Sequence, residues 1–114
     1  MEIGSEWLVE AGGCREDALR DVALLESLFA SVITELGLSA LQAPSWHVFP
    51  GAAGVTGFVM LTESHLACHT YPEHGIVAIN LYCCRPRPEW PWQERLAALL
   101  GAREVRVRRL ERWS

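Results

Sequence analysis

Two short apolar runs frame the middle of the chain, Val55 to Leu61 and Ile76 to Cys84. Runs this short, bounded by turn residues, read as strands and not as helices. Val55 to Glu63 is expected to be one strand, interrupted by Gly57, and His65 to Tyr71 to continue it beyond a turn at Ser64. Pro72-Glu73-His74-Gly75 turns the chain, and Ile76 to Cys84 follows as a buried strand. Strands joined by such short links lie beside one another, mostly antiparallel. Between the apolar runs, Leu61 to Glu73 packs a serine hydroxyl, two imidazoles, a thiol and two carboxylates into thirteen residues. Reactive groups spaced along strands are held on rigid elements, as a site requires.

The flanking segments complete the sheet and cover it. Residues 5–11 read as a first strand, ended by Gly12-Gly13. Residues 16–36 carry apolar positions at helical spacing, with Glu16 and Asp17 at the positive end of the dipole and Gly37 as C-cap. Residues 45–50 suit a strand, and Pro50 to Gly54 a loop. Arg85-Pro86-Arg87-Pro88 reads as an extended linker, and Trp90 to Leu100 as a second helix with Pro91 near its start. Glu104 to Leu110 alternates valine with arginine, the pattern of a half-exposed strand. The predicted order is β-α-β-β-β-β-α-β in one domain over residues 1–114. This is an α+β fold, a mostly antiparallel sheet with two helices on one face, a two-layer sandwich. The other face then lacks a cover, and five tryptophans are many for one small sandwich, so a homodimer is expected.

The composition narrows the function. A formal charge of −4 argues against a nucleic-acid surface. No apolar run approaches the ~20 residues of a membrane span, and Met1-Glu2-Ile3-Gly4 is not a basic leader, so the expected compartment is the cytoplasm. Cys14, Cys68, Cys83 and Cys84 include no C-x-x-C pair and read as free thiols. All ten basic residues are arginine. A chain without lysine cannot tether pyridoxal phosphate, so a carbonyl electron sink would have to come from elsewhere.

Taken alone, the reactive groups admit other chemistries. Ser64 could be a hydrolase nucleophile with His65 or His69 as base, but no G-x-S-x-G elbow surrounds it and no aspartate follows Asp21. His65, Cys68, His69 and Cys83 or Cys84 could be imagined around zinc. The segment reads as extended, so His65 and His69 lose the shared face a helix would give them, and no metal is expected.

Several motifs at fixed offsets resemble the bacterial and archaeal S-adenosylmethionine decarboxylases. They are Glu63-Ser64-His65-Leu66, then His69-Thr70-Tyr71-Pro72-Glu73, and upstream His47-Val48-Phe49-Pro50 with Gly54-Val55-Thr56-Gly57. Cys84, twenty positions after Ser64, stands where that family keeps a catalytic cysteine. The resemblance spans nearly the whole chain. It implies autocatalytic cleavage between Glu63 and Ser64 into chains 1–63 and 64–114, with Ser64 becoming a pyruvoyl cofactor, so that the expected homodimer becomes a dimer of cleaved heterodimers. It implies that Thr56 and His69 assist processing, that Cys84 returns a proton to the decarboxylated carbon, and that His69 belongs with Ser64 and Cys84 to the catalytic set. It further implies that Phe49 stacks on adenine, Tyr71 lends a second aromatic face and Glu73 binds the ribose. The expected product is decarboxylated S-adenosylmethionine for spermidine synthesis.

The departures fall on substrate recognition. Tyr71 replaces a tryptophan, Arg85 replaces the glycine after the catalytic cysteine, and Ser5-Glu6 replaces a basic residue and a histidine. Ala11-Gly12-Gly13 lacks an aromatic and an acid common in the family, and one extra residue lies between Pro50 and Gly54. Two other readings therefore stand beside the first: a pyruvoyl-dependent arginine or ornithine decarboxylase, and a non-catalytic homologue.

Overall fold

The strands assemble outward from one tight hairpin. In a computed structural model describing residues 1–113, β3 (Val55–Leu61) and β4 (Ser64–Tyr71) pair antiparallel, with Leu61 opposite Ser64 and Thr56 opposite His69. β5 (Ile76–Cys83) adds to the other side of β4, placing Cys83 opposite Ser64. β1 (Gly4–Gly12), β2 (Ser45–Val48) and β6 (Glu104–Arg112) complete a six-stranded sheet of order β2-β3-β4-β5-β1-β6. All five pairings are antiparallel.

Alternation decides the two faces. Val9, Val59, Leu66, Ile79 and Leu81 are buried on one side, with their strand neighbours half-buried or exposed on the other. The buried side meets α2 (Val22–Glu35) through Leu25, Leu28, Phe29 and Val32, and α3 (Trp92–Leu100) through Trp92, Leu96 and Leu100. Each large side chain fully buried there contributes about 1.5–3 kcal/mol. The opposite face carries Phe58, Met60, His65, His69, Asn80, Tyr82, Glu6 and Leu110, and among the described residues no helix covers it. No helix among the described residues is long and apolar enough to cross a membrane.

The sequence-based boundaries need five corrections. Residues 16–36 form two helices, α1 (Glu16–Leu19) and α2, because extended Asp21 caps the second by accepting from the Leu24 amide at 3.2 Å. Trp90 precedes α3 and does not belong to it: Pro91 disfavours helical geometry at the residue before it. The Trp90 indole is instead buried and donates to Glu35 at 2.9 Å. The hairpin turn is Thr62-Glu63, so Ser64 opens β4 and is not itself the turn. The 45–50 strand stops at Val48, and Cys84 lies just beyond β5. Gly57 interrupts the β3 pattern for a steric reason, since a Cβ there would enter the ring of Trp46 on β2.

Candidate functional site

The Glu63–Ser64 bond lies at the corner of the two-residue turn, and the chain is strained there. Ser64 has φ 153°, a value that side-chain-bearing residues rarely adopt, at a cost on the order of 1–3 kcal/mol. Both partners of an acyl shift are held. The Ser64 hydroxyl is 3.1 Å from His65 Nδ1, and the Glu63 carbonyl oxygen accepts from the Cys84 amide at 3.1 Å. A donor aimed at that oxygen would also stabilise the negative charge that develops on it during attack.

The acyl side is clamped as well. The buried Glu63 carboxylate accepts from Arg87 Nε at 3.1 Å and Nη2 at 2.5 Å. Arg87 Nη1 donates to the Leu36 carbonyl at 3.0 Å, which ties the fork to the end of α2. The bidentate geometry fixes the carboxylate in two directions. The sequence alone reads Arg87 as part of a linker, because nothing in the spacing between Glu63 and Arg87 announces a pair.

The adjacent cysteines part company. Cys83 is fully buried at the end of β5; burial first, and the Glu63 carboxylate second, push its thiol up to about 12. Cys68 is likewise raised by burial to about 11. Cys84 is exposed and lines a cleft of about 290 Å³ with Ser39, Thr62, Glu63, Arg85 and Arg87. Arg85, the bulky departure noted in the sequence, therefore stands beside the exposed thiol. A second cavity of about 250 Å³, lined by Glu10, Gly12, Ile76, Glu104 and Arg106, contains none of the predicted site residues.

A second cluster gathers near the start of β3 and the end of β4. Thr56 Oγ1 is 2.6 Å from His69 Nδ1. The His69 ring lies 5.6 Å from Phe49 and 4.5 Å from Tyr71, and His47 lies 4.5 Å from Phe49. Glu73 is exposed on the 3₁₀ turn Pro72–His74, two residues after Tyr71. Thr56, His69, Phe49 and Tyr71 are thus together, and Ser64, Glu63 and Cys84 are together. The two groups are not joined within one chain, because His69 is five residues along β4 from Ser64, about 16 Å of strand.

The alternative chemistries fare poorly in this geometry. His65 and His69 face one side of β4 while Cys68 faces the buried side, so they cannot surround one ion. Among the described residues no group of three His, Cys, Asp or Glu side chains converges. The hydrolase pattern is half present. His65 touches Ser64, but its next partner is the amide of Asn80 (2.6 Å), and Glu6 follows behind it, 2.7 Å from Asn80. Asn80 was the one polar residue between Ile79 and Leu81 in a buried run, a signal that sequence reading passed over.

The antiparallel α+β sandwich of this chain has a counterpart among solved enzyme structures. The chain superposes on the crystal structure of the adenosylmethionine decarboxylase from Aquifex aeolicus VF5 with a TM-score of 0.81. The match covers 97% of this chain and 91% of that one at 23% identity, and it shows a common fold. The S-adenosylmethionine decarboxylase family matches residues 5–113. An S-adenosylmethionine decarboxylase proenzyme from Geobacillus kaustophilus is 33% identical over 100 residues, 88% of this chain and 79% of that protein. Another from Syntrophomonas wolfei is 32% identical over 114 residues, 98% and 88% of the two. The chain belongs to the S-adenosylmethionine decarboxylase family, in its pyruvoyl-dependent bacterial and archaeal form.

Proposed function

We propose that this protein is a self-processing proenzyme that cleaves its own Glu63–Ser64 bond and then decarboxylates S-adenosylmethionine in the cytoplasm. The observation that carries the reading is the Ser64 corner: φ 153°, hydroxyl on an imidazole and acyl oxygen on the Cys84 amide. Attack of Ser64 Oγ on the Glu63 carbonyl carbon forms an ester and breaks the C–N bond, with the proton passing to the departing nitrogen. Loss of the Ser64 α-proton then breaks the Cβ–O bond and releases Glu63 as a carboxylate. Water hydrolyses the remaining dehydroalanine, giving ammonia and a pyruvoyl group at residue 64. The residues present fit that group, since a serine stands at the strained corner and an open cleft lies beside it at Cys84. When formed, the pyruvoyl carbonyl supplies an electron sink for a substrate amine, the role a lysine-tethered cofactor cannot fill in this chain.

The remaining residues divide the work. Cys84, exposed in the cleft, is placed to return a proton to the substrate carbon after carbon dioxide leaves. Phe49 and Tyr71 offer aromatic faces for adenine and the sulfonium, and Glu73 a carboxylate for the ribose. These groups lie with Thr56 and His69, a strand length from Ser64. A second copy placed across the open sheet face would bring its His69 cluster to the Ser64 corner of the first. The apolar side chains exposed on that face, Phe58, Met60 and Leu110, support a homodimer assembled there.

Decarboxylation of arginine or ornithine is the second reading. It is favoured by the cavity beside Ala11-Gly12, where Glu10 and Glu104 could take a distal cation that adenine would not need. The test is intact-mass analysis followed by carbon dioxide release from S-adenosylmethionine, arginine and ornithine. Fragments of 63 and 51 residues with a blocked second N-terminus, and turnover of S-adenosylmethionine, are expected. Turnover of a basic amino acid alone selects the second reading, and a chain that stays whole selects the non-catalytic homologue.

A further inference from the structure

The geometry points to His65 as the base that takes the Ser64 hydroxyl proton in the first step of self-cleavage, held for that task by a polar relay across four strands. The inference rests on the self-processing reading above. The relay runs over the open face of the sheet. Ser64 Oγ meets His65 Nδ1 at 3.1 Å on β4, and His65 Nε2 meets Asn80 Oδ1 at 2.6 Å on β5. Asn80 Nδ2 donates to Glu6 Oε2 at 2.7 Å on β1, and Arg112 Nη1 on β6 donates to Glu6 Oε1 at 3.0 Å.

The order of donors leaves one arrangement. The Glu6 carboxylate, paired with Arg112, can only accept, so the Asn80 group facing it is the NH₂. The amide oxygen of Asn80 therefore faces His65, and Nε2 of the ring must carry the proton. That leaves Nδ1 with its lone pair at the Ser64 hydroxyl. Phe58 stacks on the ring with centroids 6.0 Å apart and Tyr82 meets it edge-on at 6.3 Å, contacts that limit rotation of the imidazole. His69 of the same chain cannot do this work, since its Nδ1 is 2.6 Å from Thr56 and it lies about 16 Å from Ser64 along the strand.

In the step itself, the Ser64 O–H bond breaks toward His65 Nδ1 as Oγ bonds to the Glu63 carbonyl carbon. The imidazolium then returns that proton to the Ser64 nitrogen as the C–N bond breaks, and the ring ends neutral. Asn80 and Glu6 are positioning residues that fix the tautomer. His69 of a second copy remains available for the later loss of the α-proton.

The test is the cleavage rate of proenzyme isolated uncut in denaturant and then refolded, read by intact mass with and without hydroxylamine. Hydroxylamine cuts the ester and leaves the amide, so it reports whether the first step has occurred. Wild type should cleave, while His65→Ala and His65→Gln should be about 100-fold slower or more. Both should show no hydroxylamine-labile ester, and added imidazole should restore cleavage to His65→Ala. Asn80→Leu should be slowed, and Asn80→Asp combined with Glu6→Gln, which keeps an acceptor for Nε2 and a donor between positions 80 and 6, should recover. Cleavage of His65→Ala at the wild-type rate overturns the relay and leaves the proposed function standing. So does accumulation of a labile ester in that variant, because the block would then follow the first step. Slow cleavage that imidazole does not restore also overturns it, since His65 would then be acting through structure alone. Wild-type protein that never cleaves overturns the proposed function itself.

Discussion

The amide of Cys84 donates to the carbonyl oxygen of Glu63 at 3.1 Å, so the exposed thiol is tied through its own backbone to the corner at Ser64. Its neighbour Cys83 points the other way, into the core. Native protein should therefore take one equivalent of iodoacetamide, at Cys84, with Cys14, Cys68 and Cys83 protected. Cys84→Ala should still cleave, because the donor to Glu63 is backbone, but its turnover should fall about 100-fold or more. Cys83→Ala should keep its turnover. Lost turnover in Cys83→Ala with normal turnover in Cys84→Ala would show that the two thiols have been assigned the wrong way round.

The Arg87 fork on Glu63 predicts a stability effect. Arg87→Ala leaves a carboxylate at 8% exposure without its partner. An unpaired buried acceptor costs about 1–3 kcal/mol, and a buried charge that loses its partner more, about 3–5 kcal/mol. Urea unfolding should be compared in a Ser64→Ala background, where the chain stays whole and a single transition can be followed. A shift below about 0.5 kcal/mol, the usual size for an unremarkable surface position, would mean that the fork is not a clamp.

Much of this was legible in the sequence, for reasons that can be named. Val55 to Leu61 and Ile76 to Cys83 alternate or run apolar between short links, and period and turn length together force adjacent antiparallel strands. That Glu63, Ser64 and His65 lie side by side was legible because they are consecutive. What the sequence hid was contact between distant positions. Glu63 with Arg87 and Asn80 with Glu6 are pairs set by how β1 and the segment after β5 come to rest. The break at Asp21 was hidden by the strength of the apolar pattern on both sides, which carries straight through a capping residue.

The buried thiols predict a loss of stability in alkali. Cys68 and Cys83 are raised from 9.0 to about 11 and about 12, so the folded chain keeps both protons after the unfolded chain has released them. Their contribution is complete below pH 9 and is lost as pH rises toward their folded values, at up to about 1.4 kcal/mol per pH unit for each thiol. Urea midpoints of Ser64→Ala measured from pH 8 to 10.5 should fall, and Cys83→Ala in the same background should fall less steeply. Parallel slopes in the two proteins would show that Cys83 does not titrate late.

His69 and Ser64 share one strand and cannot meet in one chain, because about 16 Å of extended backbone separates them. A sheet face with Phe58, Met60 and Leu110 exposed offers a second copy a place to dock. In the proposed homodimer, antiparallel docking of two such faces would carry the His69 end of each copy to the Ser64 end of the other. Processing should then be complemented between inactive chains. Ser64→Ala cannot cleave because it lacks the hydroxyl, and His69→Ala should cleave slowly because its partner lacks the imidazole. Unfolded together and refolded as a mixture, the two should form mixed dimers in which the His69→Ala chain, with its intact Ser64, is cut by help from the other. Mass tags identify which chain is cut. The Ser64→Ala chain must remain whole throughout. Two results would refute the shared site: His69→Ala cleaving alone at the wild-type rate, or a mixture no faster than His69→Ala by itself.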